Sequence, residues 1–287
     1  MEPGTPYRFL RHMDFVLPYQ EFGRGPELLL AFHGFGRSGE DFRELAAALD
    51  GHYTVIAFDF FYHGPHGLPP DERLPAFTGA NLSNMIEKLL WEKKKVRCSL
   101  LGYSQGGRIV LGQVHHIPHR IHELFVLAPD GLRKNRIRDF AGKNPFGRIL
   151  GYAMVKVPGL LAASITIASK LNFIRPKVAQ FFLHNTRHES DRYRIYNTWI
   201  LLRDYRIHKD LIRHYFKDRP IRVEFIMGKY DAIIPPSLAR NFLRKMKGDI
   251  RLTELDCGHD LLQLSEEIAT IIKAKNSTRT ADSLTTK

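Results

Sequence analysis

The chemistry-bearing residues of this chain are a serine, an aspartate and a histidine, each set in a short glycine-containing turn. Gly102-Tyr103-Ser104-Gln105-Gly106-Gly107 has the form G-x-S-x-G. In that form small residues let a sharp strand-to-helix turn lift a serine oxygen clear of a sheet. The pentapeptide alone is weak, arising by chance about 0.1 times in a chain this long. A serine is a poor nucleophile at neutral pH and needs a base, which in turn needs an orienting acid. Gly228-Lys229-Tyr230-Asp231 and Cys257-Gly258-His259 supply such partners further along the chain. The order Ser, Asp, His matches one version of the triad. Asp130, closing the run LFVLAPD, is a rival for the acid. Asp256 and Asp260 flank His259 and read as solvated or capping groups. A fourth turn, His33-Gly34-Phe35-Gly36, can present the Phe35 amide. With the Gln105 amide it would form an oxyanion hole.

These turns need a scaffold that brings them to one edge. The spacing predicts strands over Glu27–His33, Tyr53–Asp59, Val96–Tyr103 and Glu123–Ala128, then Ile221–Met227 and Ile250–Leu255. Between them, helical periodicity covers Ser38 or Gly39 to Leu49, Gly79–Lys95 and Gln105–His116. It returns near Ser237–Met246 and from Asp260 to Ala274. Strands alternating with helices predict an α/β fold, a mostly parallel sheet covered on both faces. Met13–Phe22 reads as an antiparallel strand at the start. Ser104, Asp231 and His259 all then fall at carboxyl ends of strands, the edge where open α/β sheets bind ligands.

Four motifs in order, HGFG, GYSQGG, GKYDAIIPP and CGHDLL, make the chain resemble the α/β-hydrolase superfamily from about Leu28 to Ile272. The resemblance implies Ser104 as nucleophile, His259 as base, Asp231 as acid, and Phe35 and Gln105 as oxyanion donors. It also implies a cap-bearing esterase-, lipase- or thioesterase-like serine hydrolase acting through an acyl-enzyme without metal or organic cofactor. The same triad serves C–C cleavage, elimination and acyl transfer, and a non-catalytic binding module can use the same scaffold. Asp59-Phe60-Phe61-Tyr62-His63-Gly64 resembles the D-x-x-x-H-G loop of cap-bearing members, although Pro65 follows it here.

The strand–helix alternation stops between Gly131 and Arg219. The expected domain division is therefore a core from 1–130 and 220–274, a helical cap from 131–219, and a polar, frayed tail from 275–287. Within the cap, Ile149–Ile174 is mostly apolar, but Pro158-Gly159 and internal lysines predict two short helices rather than one span. The chain carries 43 Lys and Arg against 30 Asp and Glu, formally +13. Residues 131–219 hold 19 basic and 6 acidic residues, so the whole excess lies there. A basic cap rich in aromatic residues suits an anionic membrane surface or an anionic substrate. No recognition module for nucleic acid is present, so nucleic acid is not an expected partner.

Two cysteines, Cys98 and Cys257, cannot build a disulfide framework. With no basic-then-apolar leader at the start, the expected compartment is the reducing cytoplasm, with peripheral membrane contact through the cap. His115, His116, His119 and His122 lie at the far end of the helix that begins at Gln105. They are remote from Ser104 and lack the cysteine and carboxylate company of a metal site.

Overall fold

The computed structural model describes residues 5–69, 72–218 and 221–274. The expected tail, 275–287, and the junction residues 219–220 lie outside the described residues. The chain opens on a hairpin of β1 (Arg8–His12) and β2 (Phe15–Phe22). It continues through β3 (Glu27–Phe32), α1 (Arg43–Ala48), β4 (Tyr53–Phe58), α2 (Gly79–Glu92), β5 (Cys98–Tyr103), α3 (Gln105–Gln113) and β6 (Ile121–Leu127). Among the described residues, six helices follow before the next strand: α4 (Arg136–Lys143), α5 (Pro145–Lys156), α6 (Pro158–Lys170), α7 (Pro176–His184), α8 (Glu189–Leu201) and α9 (Lys209–Asp218). The chain then forms β7 (Arg222–Gly228), α10 (Pro236–Leu243), β8 (Ile250–Leu255) and α11 (Ser265–Lys273).

Among the described residues, eight strands form one sheet in the order β1-β2-β4-β3-β5-β6-β7-β8. The β1–β2 and β2–β4 pairs are antiparallel, and the other pairs are parallel. The parallel centre is legible in composition. Strands covered on both faces lose the polar alternation of a half-exposed strand, and every residue of β5 (CSLLGY) is buried. Helices cover both faces, α1 packing with α11 and α2 with α3. The expected start of helix α1 is instead a short 3₁₀ turn, Gly39–Phe42. There the Ser38 amide donates to Asp41 Oδ2 at 2.7 Å, which holds the tighter turn.

One buried polar cluster ties the middle of the sheet together. Arg222 and Glu123 are paired at 2.6 Å, with side chains 5% and 3% exposed. Tyr53 donates to the other Glu123 oxygen at 2.5 Å. Arg222 also donates to the Ile271 and Ile272 carbonyls. The ions therefore have the additional hydrogen bonds that a buried pair needs to offset desolvation.

The six helices between β6 and β7 are anchored by side chains that reach backbone carbonyls. Buried Arg192 donates to the carbonyls of Val155, Thr186 and Arg187, locking α8 onto α5. Tyr205, fully buried, donates to the Ile109 carbonyl and accepts from Gln113. The Phe77 amide donates to Leu201 O at 2.8 Å, and Arg194 reaches Tyr62 O at 3.0 Å. The long apolar stretch is broken at Val157, where α5 and α6 meet at 113°. Among the described residues no single helix is long and apolar enough to cross a membrane.

Candidate active site

Ser104 stands between the last residue of β5 and the first of α3, with φ 52° and ψ −109°. A left-handed backbone at a non-glycine residue costs about 1–3 kcal/mol and persists only where the surroundings enforce it. Here they do. A Cβ at Gly106 would lie 1.8 Å from Phe32 O, and one at Gly102 would lie 2.3 Å from Gly106 O. Only hydrogen fits at either position, so the helix can start directly behind the strand. The Gly106 amide is tied to His33 O at 3.0 Å, which sets the HGFG turn against the elbow.

His259 lies between the other two side chains. Its Nδ1 is 2.6 Å from Asp231 Oδ2, and its Nε2 is 3.1 Å from Ser104 Oγ. An ionised carboxylate can only accept, so the Nδ1 proton faces Asp231 and Nε2 keeps its lone pair for the serine hydroxyl. Asp231 is fixed by two amides: Ile233 and Ile234 both donate to Oδ1 at 2.8 Å. Its side chain is fully buried, whereas that of His259 is 19% exposed. The Asp231 and His259 turns are joined through backbone as well, the Tyr230 amide donating to Cys257 O at 3.0 Å. Burial first, and then the carboxylates of Asp231 and Asp260, raise the Cys257 thiol, so this neighbour of His259 stays protonated and unreactive.

The rival acid is engaged elsewhere. Asp130 Oδ2 is paired with Arg138 at 2.7 Å, while its amide donates to Ser104 O at 2.8 Å. Asp256 pairs with Lys229 at the surface. Asp260 is not merely solvated, because it pairs with Arg37 at 2.7 Å, and Arg37 also holds Asp41.

The HGFG turn is organised by His33. Its Nε2 accepts from the Phe60 amide at 2.9 Å, and its Nδ1 lies 2.7 Å from Gly34 O. These partners require the neutral ring with its proton on Nδ1, and burial lowers the His33 pKa accordingly. A Cβ on Gly34 would sit 3.2 Å from the Ser104 Cβ, so the turn lies directly beside the serine. Among the described residues neither the Phe35 nor the Gln105 amide has a hydrogen-bond partner. Free N–H groups beside a helix N-terminus are the chemistry that holds an oxyanion.

Contacts between the motifs, and one residue beside them, complete the site. Tyr103 donates to His259 O at 2.8 Å, and its ring lies 5.5 Å from the imidazole. The Arg37–Asp260 pair bridges the HGFG and histidine turns. No spacing rule finds these, because each links segments far apart in the chain. In the D-x-x-x-H-G loop, Asp59 Oδ1 accepts from the Gly39 amide at 2.7 Å. His63 is buried, and burial together with His33 pushes its pKa down to about 3. His115 and His116 lie just past the end of α3 with tilted rings 4.0 Å apart, and His115 meets His208 edge-on, while His119 and His122 face Glu87 and Glu27.

A mostly parallel sheet flanked by helices thus carries a hydrogen-bonded Ser–His–Asp chain at the carboxyl ends of β5, β8 and β7. This constellation defines a class. Residues 28–271 match the family model described as "Alpha/beta hydrolase family", and the chain belongs to that family. Among curated proteins it is 30% identical to the human "Serine hydrolase BPHL" over 151 residues, covering 47% of this chain and 51% of that one. It is also 30% identical to a pimeloyl-[acyl-carrier protein] methyl ester esterase of Aeromonas hydrophila, covering 38% of this chain and 40% of the relative. The chain therefore aligns with about half the length, or less, of these relatives. The fold agrees with that of a thermophilic esterase from Thermogutta terrifontis, with a TM-score of 0.68 at 15% identity, covering 95% and 98% of the two chains. It also agrees with that of a thioesterase domain from the curacin biosynthetic pathway, with a TM-score of 0.62 at 17% identity, covering 94% and 99%.

Proposed function

We propose that this chain hydrolyses a carboxylic ester or thioester through an acyl-enzyme on Ser104. The observation that carries the reading is the continuous hydrogen-bonded chain from Ser104 Oγ through His259 to Asp231. His259 Nε2 takes the hydroxyl proton as Ser104 Oγ attacks the carbonyl carbon. The Phe35 and Gln105 amides hold the oxyanion, and Asp231 stabilises the imidazolium. The imidazolium then gives its proton to the departing alkoxide or thiolate. In the second half, His259 removes a proton from water as the water oxygen attacks the acyl carbon, then gives that proton to Ser104 Oγ as the acyl–oxygen bond breaks and the acid leaves. A relative named as a methyl ester esterase supports the ester reading. We read residues 131–219 as a cap over the site and the acyl group as apolar. Arg175 of the insertion reaches the Ile233 carbonyl beside the acid turn, and Arg194 reaches the D-x-x-x-H-G loop.

A chain-length series of aryl esters, with matched thioesters, tests the substrate reading. The expected optimum lies at medium or long acyl chains. Peak activity on acetate removes the apolar acyl assignment. No turnover of any member, with Ser104 still reactive, moves the chemistry to C–C cleavage, elimination or acyl transfer.

The insertion also suggests where the substrate is met. Helix α6 has no buried residue, and Phe146, Ile149, Leu160, Ile167, Leu171 and Phe173 are all exposed. Apolar ridges of this kind mark contact surfaces, and the surrounding basic excess suits anionic headgroups. We propose that the protein meets its substrate peripherally on an anionic membrane surface. Binding to phosphatidylglycerol vesicles is expected, weakening with salt and lost in the Leu160→Asp/Ile167→Asp variant. Equal binding to neutral vesicles, or none at all, overturns the membrane assignment.

A further inference from the structure

The basic excess is not spread evenly over the insertion. A cleft of about 500 Å³ opens at its root, where residues 131–143 leave the core and residues 203–211 return to it. Eight Lys or Arg line this cleft against two Asp. The aspartates balance only part of the set: Asp139 pairs with Lys143 of the lining and Asp204 with Arg203, while Asp210 turns away to Arg213. Arg133, Lys134 and Arg206 have no ion-pair partner among the described residues. Arg138 meets Asp130 through one nitrogen, while its Nε is buried with no acceptor. Arg108, 6% exposed, forms the deep wall, where Nη2 donates to the Leu202 and Tyr205 carbonyls.

Like charges gathered against a partly buried wall repel one another, and the local titration reflects it. Burial and then Arg138 lower the Arg108 guanidinium to about 10. Burial and then Arg213 and Lys134 lower Lys209. A polyanion relieves that repulsion. Five of the eight cations are arginines, whose forked donors match phosphate oxygens in a bidentate manner. The cleft is too large for one phosphate, and Ile207 and Leu211 add an apolar wall.

We propose that this cleft binds a small organic ligand carrying at least two phosphate charges, at a site separate from Ser104. The ligand would touch both stems of the insertion at once and so clamp it to the core. It would also lie behind the elbow, since the Arg108 and Asp130 amides both donate to Ser104 O. The proposal rests on the fold and the cleft, and it holds whether or not Ser104 hydrolyses esters.

The test is calorimetric titration of the full chain with pyrophosphate, orthophosphate and citrate. Pyrophosphate is expected to bind about tenfold tighter than either of the others, the interaction weakening with salt. At about 100 times Kd it should raise Tm by roughly 5 °C. Arg133→Glu/Arg206→Glu changes two exposed side chains and should fold as wild type, with pyrophosphate binding weakened by about tenfold or more. Ser104→Ala should bind as wild type. Vesicles carrying phosphatidic acid distinguish the source: recruitment that pyrophosphate competes away assigns a lipid phosphomonoester, and its absence assigns a soluble ligand. Binding unchanged in the double variant, lost in Ser104→Ala, or no stronger for pyrophosphate than for citrate overturns the proposal.

Discussion

Ser104→Ala should abolish labelling by a fluorophosphonate and lower ester turnover by about 10⁴- to 10⁶-fold. The size follows from the geometry rather than from the residue type alone. Ser104 Oγ is the atom poised at 3.1 Å from His259 Nε2, so its removal leaves the base nothing to activate. Alanine matches serine in size and meets the same backbone, so the left-handed turn survives. The glycines that enforce it, Gly102 and Gly106, are untouched. The remaining rate would come from the Phe35 and Gln105 amides and from substrate binding, which persist without the hydroxyl. Unchanged Tm with lost labelling is the expected pair of results. Equal labelling of wild type and variant overturns Ser104 as the nucleophile. The pyrophosphate experiment is indifferent to this outcome, so failure of one does not imply failure of the other.

The site was legible in the sequence where sterics leave one residue type possible. A side chain at Gly102 or Gly106 would collide with backbone, so the glycine pattern around Ser104 records the turn itself. The parallel strands were legible because burial on both faces removes polar alternation. What depends on distant partners was not. Asp130 and Asp231 both close buried strands, and only the fold shows that Arg138 engages one while His259 engages the other. Strand β1 (RFLRH) escaped notice because an edge strand has one fully covered residue, Leu10, and otherwise polar or exposed positions. Locating the charge excess in residues 131–219 needed only counting. Its concentration into a cleft needed the two stems, about 70 residues apart, to meet, and no periodicity records that. The Arg37–Asp260 bridge was hidden for the same reason.

Asp231→Asn is expected to lower kcat/KM for an ester by about 10⁴-fold, whereas Asp130→Asn should change it by less than about threefold. The asparagine oxygen can still accept from the Ile233 and Ile234 amides, so the turn keeps its shape. Its amide nitrogen then faces His259 Nδ1 in place of a carboxylate oxygen. Two donors cannot face each other, so the imidazole proton moves to Nε2. In that tautomer Nε2 points a hydrogen at Ser104 Oγ and cannot take the serine proton. The loss is therefore one of proton placement, with Tm little changed and fluorophosphonate labelling slowed in parallel with turnover. At Asp130 the same substitution weakens only the pair with Arg138, whose partner carboxylate is 39% exposed. A pair that open to solvent contributes about 1 kcal/mol or less, and the backbone link from the Asp130 amide to Ser104 O is retained. A larger loss at Asp130 than at Asp231 would reassign the acid to the end of β6, and would require His259 to rotate away from the two amides that now fix its partner.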